Sequence, residues 1–264
     1  MQYGFLHDDL DANGDGNIYA IIADDVSKKY RIPKEKKITV YENLMALVRG
    51  GAYAYEEFLA LNRVSFSVKH GETFGIIGPN GCGKSTLLKL LAGVLYPDGG
   101  RVNINGRIAP FLELGVGFQP ELTAKDNVYL YGAIMGLTRR NVDQRYDEIM
   151  DFSELKRFEN VKLRSFSSGM YVRLAFATAI QTNPDIMLVD EVLSVGDESF
   201  QMKCGQKIDE IRKAGKTILL VSHALDTVQS LCSRCMLMDK GKMVVVGKTE
   251  DVLTEYARAR QKSK

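Results

Sequence analysis

The stretch Gly78-Pro79-Asn80-Gly81-Cys82-Gly83-Lys84-Ser85-Thr86 limits the possible folds more than any other part of the chain. It has the spacing G-x-x-x-x-G-K-[ST], in which glycines let backbone N–H groups converge on phosphate oxygens. Its flanks supply what such a loop needs. Thr73-Phe74-Gly75-Ile76-Ile77 reads as a short buried strand, and Leu87, Leu88, Leu90, Leu91, Val94 and Leu95 recur at helical spacing after it. A strand, a glycine-rich turn and a helix in that order bring the partial positive charge of the helix N-terminus to an anion. Lys84 is then expected to reach the β- and γ-phosphates of a nucleoside triphosphate, and Ser85 to offer its hydroxyl to Mg²⁺. Gly78, Asn80, Gly81, Cys82, Gly83 and Thr86 complete the expected phosphate-binding set.

A second apolar run, Ile186-Met187-Leu188-Val189, ends in Asp190-Glu191. An aspartate at the C-terminal end of a buried strand can hold Mg²⁺ beside such a loop, and the adjacent Glu191 can polarise the water that attacks the γ-phosphate. A third run, residues 217–221, ends at Ser222-His223, which brings His223 to the γ-phosphate edge of the same site.

The rest of the chain is read around these three strand ends. Residues 1–17 look like a tail. Asp11, Asn13, Asp15 and Gly16 imitate the start of a calcium loop, but its twelfth position, which needs a bidentate carboxylate, is Ile22. A polar turn is the better reading. Residues 18–26 are expected to form a first strand and residues 58–68 a second. Between them, at about residues 33–55, lies an apparent insertion with a helical pattern over 39–48, either a surface helix or a docking element. Residues 101–106 read as a short strand with a turn, and residues 111–120 as a loop. Helical spacing over 124–136, 141–152 and 168–182 marks a subdomain at about residues 120–183. A helix over 200–213, a hairpin over 236–246 and a last helix over 250–260 follow. Strands alternating with helices argue for a mostly parallel sheet covered by helices.

Composition sets outer bounds. The 264 residues suffice for one core with a subdomain, and 45% hydrophobic with 26% charged residues is ordinary for a globular protein. Apolar runs such as residues 218–221 are far short of the roughly 20 needed to span a bilayer. Asp8, Asp9 and Asp11 stand where a secretory signal would be basic and then apolar, which predicts a cytoplasmic protein. A net charge of +2 makes no electrostatic case for nucleic-acid binding. The four cysteines fit a reducing compartment, and Cys232 and Cys235, lacking a second pair, are expected to pack in the core at a helix end.

With these motifs in place, nearly the whole chain resembles the nucleotide-binding subunit of an ATP-binding cassette transporter. The resemblance implies an α/β fold: a P-loop NTPase (RecA-like) core with a mostly parallel sheet, an antiparallel β part and a helical signature subdomain. It makes residues 18–264 one ATPase domain. It assigns Gln119 to the Q-loop and to the metal with Ser85 and Asp190, and Glu191 and His223 to catalysis. The signature is Phe166-Ser167-Ser168-Gly169-Met170, ahead of a helix from Met170, and the D-loop is Ser194-Val195-Gly196-Asp197. The signature departs from L-S-G-G-Q at Phe166, Ser168 and Met170, which puts one polar contact in doubt but not the fold. Ser167, Ser168, Gly169 and Asp197 are thereby expected at the nucleotide, with Tyr30 stacked on adenine and Tyr53 and Tyr55 as rivals.

Residues 166–177, together with 112–123, resemble the ATPases of exporters of lipid-linked O-antigen or teichoic acid chains. That likeness implies ATP and Mg²⁺ as ligands, a homodimer with nucleotides shared head to tail, an integral-membrane partner and a peripheral place on the cytoplasmic face of the membrane. The insertion would sit beneath the membrane subunit. Some members carry a C-terminal sugar-binding domain, which is not recognised in residues 1–264. Two rivals stay open. One is the same ATPase driving a drug, lipid or metabolite; the other is a soluble cassette ATPase acting on DNA or ribosomes, which the single short cassette disfavours. A third reading, a nucleotide-binding regulator without turnover, is disfavoured by the intact Glu191 and His223.

Overall fold

Strand β3 (Thr73–Ile77) is buried along its whole length, and so is β7 (Thr217–Val221). Strands covered on both faces read as continuous apolar runs, which is why these two were visible from sequence with their final bounds. The structure, a computed structural model, describes residues 18–33, 55–111, 114–190, 197–222 and 224–262. In it β3 lies between β7 and β8 (Arg234–Asp239), parallel to both. Strand β6 (Ile186–Asp190) pairs parallel with β7 on one side and β5 (Ile108–Phe111) on the other. With β9 (Lys242–Lys248), antiparallel to β8, the sheet runs β5-β6-β7-β3-β8-β9.

A smaller antiparallel sheet stacks against it in the order β2-β1-β4, from β1 (Tyr19–Pro33), β2 (Tyr55–Lys69) and β4 (Gly99–Ile104). Helix α1 (Lys84–Leu91) buries Leu87, Leu88, Leu90 and Leu91 in the core that includes Ile21, Leu61, Phe66, Phe74 and Met236 of the two sheets. Phe66 and Phe74 stack across that layer with ring centroids 5.7 Å apart.

The second core lies on the other face of the large sheet, under α2 (Ala124–Ile134), α3 (Arg139–Ser153), α4 (Ser168–Ile180) and α5 (Glu198–Lys213). Thr123 with Asp126 and Thr138 with Asn141 form capping boxes that start α2 and α3. Helices α6 (Leu225–Leu231) and α7 (Thr249–Lys262) complete the chain. Among the described residues, no helix is long and apolar enough to cross a membrane.

Three expectations change. The first strand runs to Pro33 rather than stopping at Val26, because bulges between Ala23 and Lys29 let it continue beside β2 past its pairing with β4. Residues 108–110, which the sequence left unassigned, join Phe111 in edge strand β5, where Pro110 is tolerated. The signature helix starts at Ser168, as the helical spacing over 168–182 predicts and two residues before the start at Met170 given with the signature, because the Ser167 hydroxyl accepts the Met170 N–H at 3.2 Å and caps it. The insertion over 34–54, Tyr53 and the acidic tail lie outside the described residues.

All four cysteines are unoxidised and buried. Cys232 closes α6 and Cys235 sits in β8; a methyl on Gly75 of β3 would stand 2.9 Å from Cys235 Cβ and 3.3 Å from Cys232 Sγ. They fill the seam between α6 and the sheet. Burial pushes their thiols up, to about 12 for Cys232 and about 11 for Cys235.

Candidate nucleotide site

The loop leaves β3 at Gly78, whose φ of 151° and surroundings both require glycine, since a Cβ there would stand 2.2 Å from the Met238 carbonyl oxygen. Gly83, at φ 106°, caps α1 in a left-handed conformation and would likewise strike the Ala60 carbonyl oxygen at 2.7 Å. The β8–β9 turn braces the loop from below: Gly241 N–H donates to the Cys82 carbonyl at 2.9 Å, and Asn62 N–H donates to the Gly241 carbonyl at 2.8 Å. Lys84 is only 7% exposed, and its ammonium donates to the carbonyls of Gly78 at 2.8 Å and Pro79 at 3.0 Å. The cation is thus already held at the loop. Cys82 turns inward, with Sγ 4.0 Å from Lys84 Nζ; burial raises its pKa, and the lysine pulls against that.

Above the loop is an open pocket of about 460 Å³. It is lined by Asn80, Gly81, Gly83, Lys84, Ser85 and Thr86, by Asp190 at the end of β6, and by Tyr30, Phe58 and Ala60. Parallel β3 and β6 explain the convergence, because their C-terminal ends leave the same edge of one sheet. The pocket brings together Tyr30, most of the expected phosphate-binding residues and Asp190; Tyr55 is not on its wall. Gly78 and Cys82 lie beneath the surface as the floor of the loop.

The exposed Ser85 hydroxyl and the Asp190 carboxylate suit a hard cation, and the glycine-lined loop leaves room for phosphates. No group of three or more potential metal-binding His, Cys, Asp or Glu residues exists among the described residues.

Gln119, Ser167, Ser168, Gly169 and Asp197 are not on the pocket wall. Gln119 is exposed, and Asn127 clamps its backbone. Gln119 N–H donates to Asn127 Oδ1 at 2.7 Å, while Asn127 Nδ2 donates to the carbonyls of Gln119 at 3.0 Å and Thr123 at 2.9 Å. Sequence reasoning missed Asn127, which carries no motif signal of its own. It is fully buried, so Asn127→Ala is expected to cost about 2 kcal/mol by orphaning these groups. Urea unfolding of the two proteins checks this, and coincident midpoints would remove the clamp's energetic weight.

Ser167, Ser168 and Gly169 form the exposed to half-exposed N-terminus of α4. Tyr171, one turn in, donates its hydroxyl to the Gly115 carbonyl at 2.8 Å and ties that helix to the loop carrying Gln119. Asp197 caps α5 and accepts the Phe200 N–H at 3.0 Å. Arg173 of α4 bridges Asp197 and Glu154, lying 4.9 Å over the Phe200 ring. The Phe200 N–H first, then Ser199 and Arg173, hold the Asp197 carboxyl below the usual range. Glu191, His223 and residues 194–196 lie outside the described residues.

A family model described as ABC transporter matches residues 61–194. The chain is 45% identical over 203 residues to an O-antigen export system ATP-binding protein, RfbB, of Klebsiella pneumoniae, covering 77% of this chain and 82% of that one. It is 43% identical over 244 residues to an RfbB of Myxococcus xanthus, covering 91% of this chain but only 56% of the relative's length. Among solved structures, a dimeric ATP-binding cassette bound to ADP and Pi superposes with a TM-score of 0.67 at 25% identity, covering 87% of this chain and 98% of that one.

Proposed function

Since the chain belongs to the ATP-binding cassette transporter family, we propose that it is the ATP-hydrolysing subunit of an exporter for a lipid-linked polysaccharide of the O-antigen or teichoic acid type. The observation that carries this reading is the likeness to O-antigen export ATP-binding proteins along most of the chain. The pocket that joins the phosphate loop to Asp190 supports the ATPase part.

In this mechanism the triphosphate of ATP lies along residues 80–86, where loop N–H groups and the α1 N-terminus face it. Lys84 turns its ammonium from the loop carbonyls toward the β- and γ-oxygens. Ser85 and Asp190 would hold Mg²⁺ together with Gln119, and the ion supplies charge neutralisation across the phosphates. Glu191, next to Asp190, takes the proton of the attacking water, and His223 stands at the γ-phosphate. A second copy, packed head to tail, presents Ser167, Ser168 and Gly169 at the nucleotide through the α4 N-terminus, with Asp197 at the same interface. The dimer works on the cytoplasmic face of the membrane against an integral-membrane partner.

Tagged protein purified from detergent-solubilised membranes is expected to bring down one integral-membrane protein. Cells whose copy carries Lys84→Ala should lose surface polysaccharide and accumulate its lipid-linked form inside. Intact surface polysaccharide with a defect in drug or lipid efflux would assign another cargo. Recovery on ribosomes or DNA without a membrane protein would overturn transport altogether.

A further inference from the structure

Two aromatic side chains on the small sheet face the nucleotide pocket, and only one matches a family motif. Tyr30 of β1 and Phe58 of β2 are direct cross-strand partners, and both line the pocket. They are 37% and 50% exposed, a high value for phenylalanine in a strand. Phe58 lines the pocket together with Ala60, whose carbonyl presses on Gly83 closely enough to exclude a methyl group. Strand β2 therefore carries Phe58 to the loop's edge. Cross-strand partners have Cβ atoms about 5 Å apart, which sets the two aromatic side chains next to each other at the pocket wall.

We propose that Phe58 is a second base-binding residue: the nucleobase rests on a Tyr30–Phe58 platform, and base choice is set by ring area rather than by hydrogen bonds. The proposal rests on the nucleotide-site reading above. Of the lining side chains from β1 and β2, namely Tyr30, Phe58 and Ala60, only the Tyr30 hydroxyl can hydrogen-bond. Among the described residues of β1 and β2, no lining side chain separates the amino edge of adenine from the keto edge of guanine. Stacking favours the larger π-face, so purines should be preferred over pyrimidines.

Calorimetric titration of the full chain with ATP, GTP, CTP and inorganic tripolyphosphate, each with Mg²⁺, tests the idea. Wild type is expected to bind ATP and GTP within about threefold of each other and CTP about tenfold more weakly. Phe58→Ala should weaken ATP and GTP about tenfold and leave tripolyphosphate unchanged, while Phe58→Tyr restores wild-type values. A Phe58→Ala protein that binds ATP normally overturns the proposal. So does a parallel loss of ATP and tripolyphosphate, which would mean that Phe58 only props the loop. Rejection of GTP by more than about a hundredfold would overturn the ring-area rule. Folded wild type that binds neither ATP nor tripolyphosphate would instead overturn the nucleotide site itself.

Discussion

Lys84→Ala is expected to lower ATP turnover at least about a hundredfold, since a unit charge about 4 Å from a phosphate is worth roughly 4 kcal/mol at an effective dielectric near 20. The loop itself also loses, because the carbonyls of Gly78 and Pro79 would lack the donor that now sits 2.8 and 3.0 Å away. Gly169→Asp should be equally inactive for a different reason. Among the described residues, a Cβ at Gly169 meets only Ser167 Oγ, at 3.9 Å, so that part of the protomer accommodates the change and the carboxylate is expected to harm what approaches the α4 N-terminus from outside. Mixing the two variants therefore separates two architectures. If sites form between chains, a mixed dimer gathers both defects in one site and leaves the other intact. If each site lies within one chain, both sites stay broken. Random exchange makes about half of all dimers mixed, so recovery of bound ATP, and of hydrolysis if one site suffices, is measurable. No recovery of either signal, with mixed dimers shown by mass spectrometry, would exclude shared sites.

Glu191→Gln is expected to leave ATP affinity within about threefold of wild type while slowing turnover roughly 10²- to 10⁴-fold, the usual contribution of a positioned general base. The amide keeps the side chain's shape but cannot take a proton from water, whereas Lys84 and Ser85, the proposed phosphate and metal contacts, are untouched. With hydrolysis blocked and binding intact, an ATP-dependent dimer should accumulate and elute early in size-exclusion chromatography. Single-turnover rates near wild type would remove Glu191 from the chemistry.

The phosphate loop was legible because its chemistry is local: glycines at Gly78 and Gly83 answer to backbone contacts, and Lys84 lies six residues from the carbonyl that it holds. Strands β3 and β7 were legible because burial on both faces leaves no polar alternation to confuse the reading. Strand β1 was cut short by its charged middle. The Lys28 ammonium is satisfied by the Tyr96 carbonyl and Asp98, and the Lys29 N–H by Asp98, contacts that lie about 70 residues away along the chain. Phe58 and Arg173 were illegible for a related reason. Phe58 matters through its pairing with Tyr30, and Arg173 through Glu154 and Asp197, none of which adjoins it in sequence. Asn127 shows that even a short reach of eight residues is hidden when the partner is a backbone group rather than a motif.

The burial of the cysteines has a practical consequence. A thiol held below the surface with a raised pKa reacts with an alkylating probe only while its surroundings are open. Cys82 turns inward from the phosphate loop, Cys204 lies on the buried face of α5, and Cys232 and Cys235 lie in the seam between α6 and the sheet. Labelling followed by mass spectrometry thus times the opening of three regions in one experiment, with no engineered reporter. A ligand seated on the loop should slow the Cys82 clock and leave the other two running.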